Sequence, residues 1–328
     1  MKRFILTKLT VREAIRDAIA EEMRQDPNVF LLGEEVGEYQ GAYKVSQGLL
    51  EEFGNKRIVD TPITEAGFAG LAVGASMNGL KPIVEFMTWN FAMQAVDHII
   101  NSAAKTLYMS GGKLNIPIVF RGPNGSAARV GAQHSQDYSA WYSHIPGLKV
   151  LAPYDSNDAK GLLKSAIRDK NPVVYLENEL MYNETFEMDI NEELVKIGKA
   201  KVMEKGDDIT LVSYSRSVGT ALNVQKALIE KKISAEVINL RTVRPIDSKT
   251  IIDSLKKTNK IIVIEEGWKQ SGVGAEIISF IVENAFDYLD AEPIRFCGKS
   301  VPLPYAENLE KLALPDQTEI INKCIELC

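Results

Sequence analysis

Short apolar runs recur along this chain, and most are separated by a stretch with helical spacing. Residues 29–32, 57–59, 82–86, 116–120, 149–152 and 173–176 read as buried strands, because they are largely apolar throughout rather than alternating. Ahead of them, Val11, Ala14, Ile15, Ala18 and Ile19 share one helical face behind a capping box at Thr10 and Glu13. Residues 90–108 read as one long apolar helix, and Asp155 or Ser156 caps another that runs to residue 168. Parallel neighbours need such crossovers, so the pattern points to a parallel sheet with helices on both faces. It breaks over residues 180–208, which are polar and weakly periodic and read as a linker with an edge strand. It resumes with strands at 209–213, 235–240, 261–265 and 294–296 and helices at 218–230, 245–256 and 274–284. The expected fold is α/β with two parallel-sheet domains, at residues 1–185 and 209–328, joined by a linker at 186–208.

The 328 residues are enough for two full cores. A net charge of -6 argues against nucleic acid or an anionic membrane as the main partner. Cys297, Cys324 and Cys328 are few and mostly terminal, which fits a reducing compartment better than a disulfide framework. No apolar run is long enough to span a bilayer, and the basic N-terminus turns into an amphipathic helix, so neither a membrane span nor a signal peptide is expected. There is no Walker-type phosphate loop and no G-x-S-x-G elbow. S-G-V-G-A at residues 271–275 comes nearest to a dinucleotide fingerprint, but its flanks do not match.

The most unusual stretch is I-V-D-T-P-I-T-E-A-G-F-A-G-L-A-V-G-A at residues 58–75. Thr64 is placed to cap a helix whose face is almost all Gly and Ala, which lets a backbone or a flat ligand approach closely. Glu65 in its first turn either answers the helix dipole or is a functional acid. Phe86, Trp89 and Phe91 leave a strand and enter a helix; they read as core or as the wall of a flat heterocycle. Residues 33–44, rich in acids, aromatics and glycine, read as an exposed loop beyond a strand end. Of the three histidines, His98 lies within the long helix and reads as packed. His134 and His144 lie on glycine-flanked loops and are better catalytic candidates. Cys324 and Cys328, without a nearby histidine, do not read as a metal site.

Longer runs carry a resemblance. D-T-P-I-T-E-A-G-F-A-G, E-F-M-T-W-N-F-A-M-Q-A-V-D-H-I-I-N-S-A-A-K, F-R-G-P-N-G, A-Q-H-S-Q, P-G-L-K-V, A-K-G-L-L-K-S-A-I-R-D-K-N-P-V-V and L-E-N-E-L-M-Y closely resemble the beta subunits of thiamine-diphosphate-dependent pyruvate dehydrogenase components. N-L-R-T-V-R-P-I-D at residues 239–247 resembles the C-terminal domain of the wider transketolase-like family. The likeness covers nearly the whole chain. It implies a transketolase-like pyrimidine-binding domain followed by a transketolase C-terminal-like domain.

It also implies a division of labour. An alpha subunit would hold the diphosphate and Mg2+ through a G-D-G motif that this chain lacks; Gly206-Asp207-Asp208 departs from it. The beta subunit would hold the pyrimidine half of thiamine diphosphate. The family's cofactor-activating glutamate falls on Glu65, its pyrimidine-stacking phenylalanine on Phe91, with Trp89 nearby at a cofactor-side position that is often aromatic too, and its active-site histidine on His134. A structural potassium ion, bound mainly by backbone oxygens, would fall on Ile118, Ala166, Asp169 and Asn171. Glu65 would hydrogen-bond the pyrimidine ring, and a small-residue pocket would raise its pKa. The implied reaction is decarboxylation of pyruvate and reductive acetylation of a lipoyl group. The implied partners are an alpha subunit, in an alpha2-beta2 heterotetramer, and a dihydrolipoyl acyltransferase core. Beta subunits of branched-chain 2-oxoacid or acetoin dehydrogenases, and a non-catalytic assembly subunit, are the alternatives. The implied compartment is the bacterial cytoplasm, or the mitochondrial matrix for a processed organellar chain.

Overall fold

The computed structural model describes residues 6–189 and 194–328, so the reading of the extreme N-terminus and of the middle of the linker lies outside the described residues. In chain order the elements are β1 (Leu6–Thr10), α1 (Val11–Gln25), β2 (Val29–Gly33), α2 (Leu49–Phe53), β3 (Ile58–Asp60), α3 (Glu65–Met77), β4 (Lys81–Glu85), α4 (Trp89–Ala92), α5 (Ala104–Met109), β5 (Val119–Pro123), α6 (Ser139–Ser143), β6 (Lys149–Leu151), α7 (Ser156–Ile167), β7 (Val173–Glu177) and β8 (Thr185–Asp189). They continue with β9 (Lys201–Glu204), β10 (Ile209–Ser213), α8 (Ser217–Ile229), β11 (Ala235–Asn239), β12 (Thr242–Arg244), α9 (Ser248–Thr258), β13 (Ile261–Trp268), α10 (Val273–Ala285), β14 (Ile294–Gly298), α11 (Glu307–Ala313) and α12 (Gln317–Leu327). Two compact units result. One is Met1–Asn124 with Trp141–Ile197; the other is Gly125–Ala140 with Gly198–Cys328.

In the first unit the strands run β6-β7-β5-β4-β2-β3, all parallel. Helix α1 forms because its capping box is complete. The Thr10 hydroxyl accepts from Glu13 N–H, and the Glu13 carboxylate accepts from Thr10 N–H at 2.9 Å. Its buried face, Val11, Ala14, Ile15, Ala18, Ile19 and Met23, joins α7 residues Ala159, Leu162, Leu163 and Ala166 in one core. Outside that core Glu21 pairs with Lys160 and Lys164, and Glu22 with Arg168.

Behind the strand ends lies a buried ionic triad. Arg121 on β5 is 1% exposed and pairs with Glu85 on β4 and Glu177 on β7. Its Nε donates to Glu177 at 2.6 Å, and Tyr182 donates to the same carboxylate at 2.6 Å. The two acids hold the guanidinium pKa well above its ordinary value against the cost of burial. The triad ties three adjacent strands at their carboxyl ends.

The second unit has the sheet order β14-β13-β10-β11-β9, parallel except for β9 at the edge. Ile209, Leu211, Val237, Ile262 and Ile264 pack there against Val224 and Leu228 of α8 and Ile320 and Cys324 of α12. Cys324 is thus a core residue, its thiol pushed up to about 12 by burial. Among the described residues no His/Cys/Asp/Glu cluster could hold a metal, and no helix is long and apolar enough to cross a membrane.

Three expectations change. The long helix at 90–108 is segmented: α4 gives way to a 3₁₀ turn at Met93–Ala95 and a π-helical turn at His98–Ala103 before α5. The wider turn presents His98 to α3, where a Cβ added at Gly70 would lie 2.9 Å from the imidazole Nε2. The expected strand at 116–120 starts later, at Val119, and runs to Pro123. The polar stretch at 180–208 contains two strands: β8 pairs antiparallel with β1, and β9 pairs antiparallel with β11. Edge strands exposed on one side carry charge on that side, which hid them from a search for apolar runs.

Removing one member of the triad leaves uncompensated charge in the interior. Arg121→Ala is expected to destabilise the first unit by about 3–5 kcal/mol. Urea unfolding followed by circular dichroism checks this; a loss below about 1 kcal/mol would contradict the account.

Candidate functional site

Helix α3 follows β3 across Thr61 and Pro62, as the sequence suggests, but Thr64 does not cap it with its side chain. The Thr64 hydroxyl turns back to Pro62 O at 3.3 Å, and only its carbonyl serves the helix, accepting from Phe68 N–H at 3.0 Å. The inner face of α3 is Glu65, Phe68, Ala69, Ala72, Val73 and Ser76. Ala66, Gly67 and Leu71 lie on the outer face, Leu71 63% exposed, and Ile63 just before the helix is 80% exposed. Glu65 therefore does not serve the dipole from the surface. It is 2% exposed and points inward.

Its neighbour is Glu34, the first residue after β2. The loop expected to be exposed turns out to be partly interior, with Glu34, Val36, Gly37 and Gly41 buried. Two features bring it in. Gly33 approaches β4 so closely that a Cβ would sit 2.4 Å from Glu85 O, which only glycine permits. Asp60 at the end of β3 then accepts from Gly37 N–H at 2.6 Å and Glu38 N–H at 2.9 Å. Glu34 lies beside Glu65, and burial together with the neighbouring Glu65 carboxylate pushes the Glu34 carboxyl up to about 7. Each acid keeps one buried oxygen without a partner, Oε1 of Glu34 and Oε2 of Glu65. The hydroxyls of Thr61 and Ser46 are unpartnered as well. Buried polar atoms are nearly always satisfied, so the orphans of Glu34, Thr61 and Glu65, just past the carboxyl ends of β2 and β3, point to a place for a polar ligand.

The aromatic expectation divides. Trp89 is 0% exposed, its indole donates to Tyr175 O at 3.4 Å, and its ring packs on Tyr142 at 4.8 Å and Phe86 at 5.5 Å. Its ring is enclosed among the described residues and packs inside the aromatic wall. Phe91, two residues on in α4, is half-buried and is the ring of the pair with accessible surface. Phe68 of α3 meets Phe86 at 5.7 Å, which links the acid-bearing helix to this cluster.

His134 lies on a 3₁₀ turn at Ala132–His134 with an exposed side chain, in the segment Gly125–Ala140 of the second unit. His144 is exposed in the first unit. Ile118, Ala166, Asp169 and Asn171 gather where α7 turns into β7. Ala166 O accepts from Asp169 N–H at 3.1 Å, Ile118 O from Val173 N–H at 2.9 Å, and Asp169 Oδ1 from Asn171 N–H at 2.9 Å, while Asp169 Oδ2 pairs with Lys149. Glu34 is the one site residue that sequence reasoning passed over. Its signal was a glutamate directly after a strand-ending glycine, lost among the other acids of the loop.

Comparison with known proteins places this geometry. Residues 7–185 match the transketolase pyrimidine-binding domain, and residues 198–320 the transketolase C-terminal domain. A protein of Rickettsia bellii named pyruvate dehydrogenase E1 component subunit beta is 60% identical over 321 residues, covering 98% of this chain and 99% of that protein. A similarly named protein of Rhizobium meliloti is 59% identical and is covered over 70% of its length. A mitochondrial one of Oryza sativa is 58% identical and covered over 87%. The fold matches a solved split-gene transketolase, described as an inactive beta4 tetramer, with a TM-score of 0.80 at 19% identity over 97% of this chain and 98% of that one. The chain is thus built as a transketolase-like protein, and it belongs to the family of pyruvate dehydrogenase E1 component beta subunits.

A carboxyl raised by burial favours the fold while protonated, so its contribution is full below its ordinary pKa of 4.5 and is lost as pH rises through about 7. Glu34→Gln cannot ionise. Between about pH 5 and about pH 8 the wild type is expected to lose about 1–2 kcal/mol relative to Glu34→Gln. Urea unfolding at both pH values checks this, and parallel pH dependences would contradict it.

Proposed function

We propose that this chain is the beta subunit of a pyruvate dehydrogenase component and forms the pyrimidine half of a shared thiamine diphosphate site. The observation that carries the reading is the pair of buried acids with one orphaned oxygen each, at the carboxyl edge of a transketolase-like sheet. When bound, thiamine diphosphate supplies a nucleophilic ring carbon and an electron sink for decarboxylating a 2-oxoacid. The residues of this chain fit its flat, nitrogen-rich ring. Glu65 Oε2, a buried oxygen without a partner, would hold the ring by accepting from a ring N–H or, when protonated, by donating to a ring nitrogen. Glu34, raised to about 7 beside Glu65, would hold a proton near neutral pH next to the ring. Phe91 offers a face for the ring. The small residues of α3 leave room for a partner's backbone. His134 supplies a proton or a charge-assisted hydrogen bond during transfer of the acetyl group to the lipoyl acceptor.

Nothing in the sequence offers a diphosphate and Mg2+ site, which assigns that half to an alpha subunit, with an acyltransferase core receiving the product. An alpha2-beta2 heterotetramer follows if each site needs both chains. Potassium fits the turn from α7 to β7, where carbonyls of Ile118 and Ala166, each bonded to a backbone N–H, keep a second lone pair. Asp169 and Asn171 complete that set.

The test uses the copurified alpha–beta assembly. Glu65→Gln is expected to leave its native mass unchanged and to lower pyruvate turnover at least about 100-fold, as befits loss of a group engaged in proton transfer. Wild-type turnover in the assembled variant would overturn the reading. Faster turnover of branched 2-oxoacids than of pyruvate by the unmodified assembly would move the substrate to the branched-chain class.

A further inference from the structure

The segment Gly125–Ala140 carries His134, and the second unit grips it at both roots with consecutive residues of one strand. Gly125 N–H donates to Gln136 O at 2.9 Å and closes the base of the segment. At the first root, Ser126 donates to Glu266 Oε2 from its N–H at 3.2 Å and its hydroxyl at 2.8 Å. Arg216 locks that joint, donating to Glu266 Oε1 at 2.8 Å and to the Ser126 hydroxyl at 3.2 Å. At the second root, the Tyr214 hydroxyl bridges Asp137 Oδ2 at 3.4 Å and Glu265 Oε2 at 3.2 Å. Asp137 Oδ1 accepts from Ser139 N–H at 2.8 Å. Gly267 leaves room for the Asp137 carboxylate, since a Cβ there would lie 3.2 Å from it.

Successive strand residues point to opposite faces, so Glu265 and Glu266 reach two different places from one strand end. Glu265 is 1% exposed, and its Oε1 accepts from Gly274 N–H at 3.0 Å and from the Cys297 thiol at 3.4 Å. We propose, resting on the role given above to His134, that Glu265 with Tyr214 and Glu266 with Arg216 are positioning residues. They hold the roots of the segment Gly125–Ala140 and so fix His134 for acetyl transfer.

A proton count supports the second root. One tyrosine hydrogen cannot serve two carboxylates. Burial raises the Glu265 carboxyl to about 7. Protonated on Oε2, it donates to Tyr214, which is then free to donate to Asp137. The groups facing Glu265 are Asp137 from the segment, Tyr214 after β10, the Gly274 N–H of α10 and Cys297 of β14, with Arg295 and Lys269 acting on Cys297. Ionisation of Glu265 removes the second hydrogen, so the hold weakens as pH rises through about 7.

The test takes Tyr214→Phe and Glu266→Gln in the assembled alpha–beta complex. Hydrogen exchange, corrected for intrinsic pH dependence, is expected to rise roughly tenfold over residues 126–136 in each variant, the scale of losing one or two hydrogen bonds. In the wild type the protection of those residues falls as pH rises through about 7, and in Tyr214→Phe this dependence disappears. The ratio of lipoyl acetylation to decarboxylation with an artificial acceptor falls several-fold. Combining either change with His134→Ala lowers the ratio no further than His134→Ala alone. Unchanged exchange in the segment, or losses that add fully to that of His134→Ala, would overturn the proposal. If His134→Ala transfers acetyl groups like the wild type while exchange in the variants rises, the role of His134 falls and the hold on the segment stands.

Discussion

Two carboxyl groups packed against each other in a dry place cannot both carry a charge cheaply, and the first unit is arranged around that fact. Glu34 ends one strand and Glu65 begins the helix after its neighbour. Both reach the same point only because β2 and β3 are adjacent and parallel. Gly33 sets the approach and Asp60 folds the loop back with two backbone bonds. The result is a Glu34 carboxyl raised to about 7 beside Glu65, with one buried oxygen of each acid left without a partner. An arrangement that unsatisfied is costly for a chain alone and suited to a ring that brings its own donors and acceptors.

A second buried charge system lies close by in the sheet and has a different use. Arg121 is fully surrounded by Glu85 and Glu177, with Tyr182 completing the set, so no member is left over. The contrast separates structure from function. Satisfied ionic groups tie strands β4, β5 and β7 together, whereas the orphaned ones lie where the ligand is proposed to sit. The second unit repeats the device at β13. There two consecutive glutamates carry the roots of a segment whose exposed tip bears His134.

Much of this was legible in the sequence. The apolar runs located the parallel strands, because strands buried on both faces cannot hide their composition. The Gly/Ala stretch after β3 singled out Glu65 before any likeness was invoked. Strand β1 was not legible, and of β8 and β9 only a single edge strand was expected, since an edge strand shows charge on one face. The segmented run after β4 was also hidden, as π and 3₁₀ turns differ from an α-helix in hydrogen bonding rather than composition. Glu34 escaped because a pair of acids is a fact of three dimensions: 31 residues separate it from Glu65 in the chain. For Trp89 the sequence left core and stacking wall both open, and only the structure shows it to be fully buried.

The account rests on the proposal that the two acids receive the cofactor ring while Glu34 carries a proton that is labile near neutral pH. Calorimetry of thiamine diphosphate binding to the alpha–beta assembly, run at about pH 7 in buffers of different ionisation enthalpy, measures the protons that move on binding. The result expected is net proton exchange in the wild type that disappears in Glu34→Gln while binding persists. Proton exchange that is unchanged in Glu34→Gln would contradict the claim that this pair is where the cofactor ring is held.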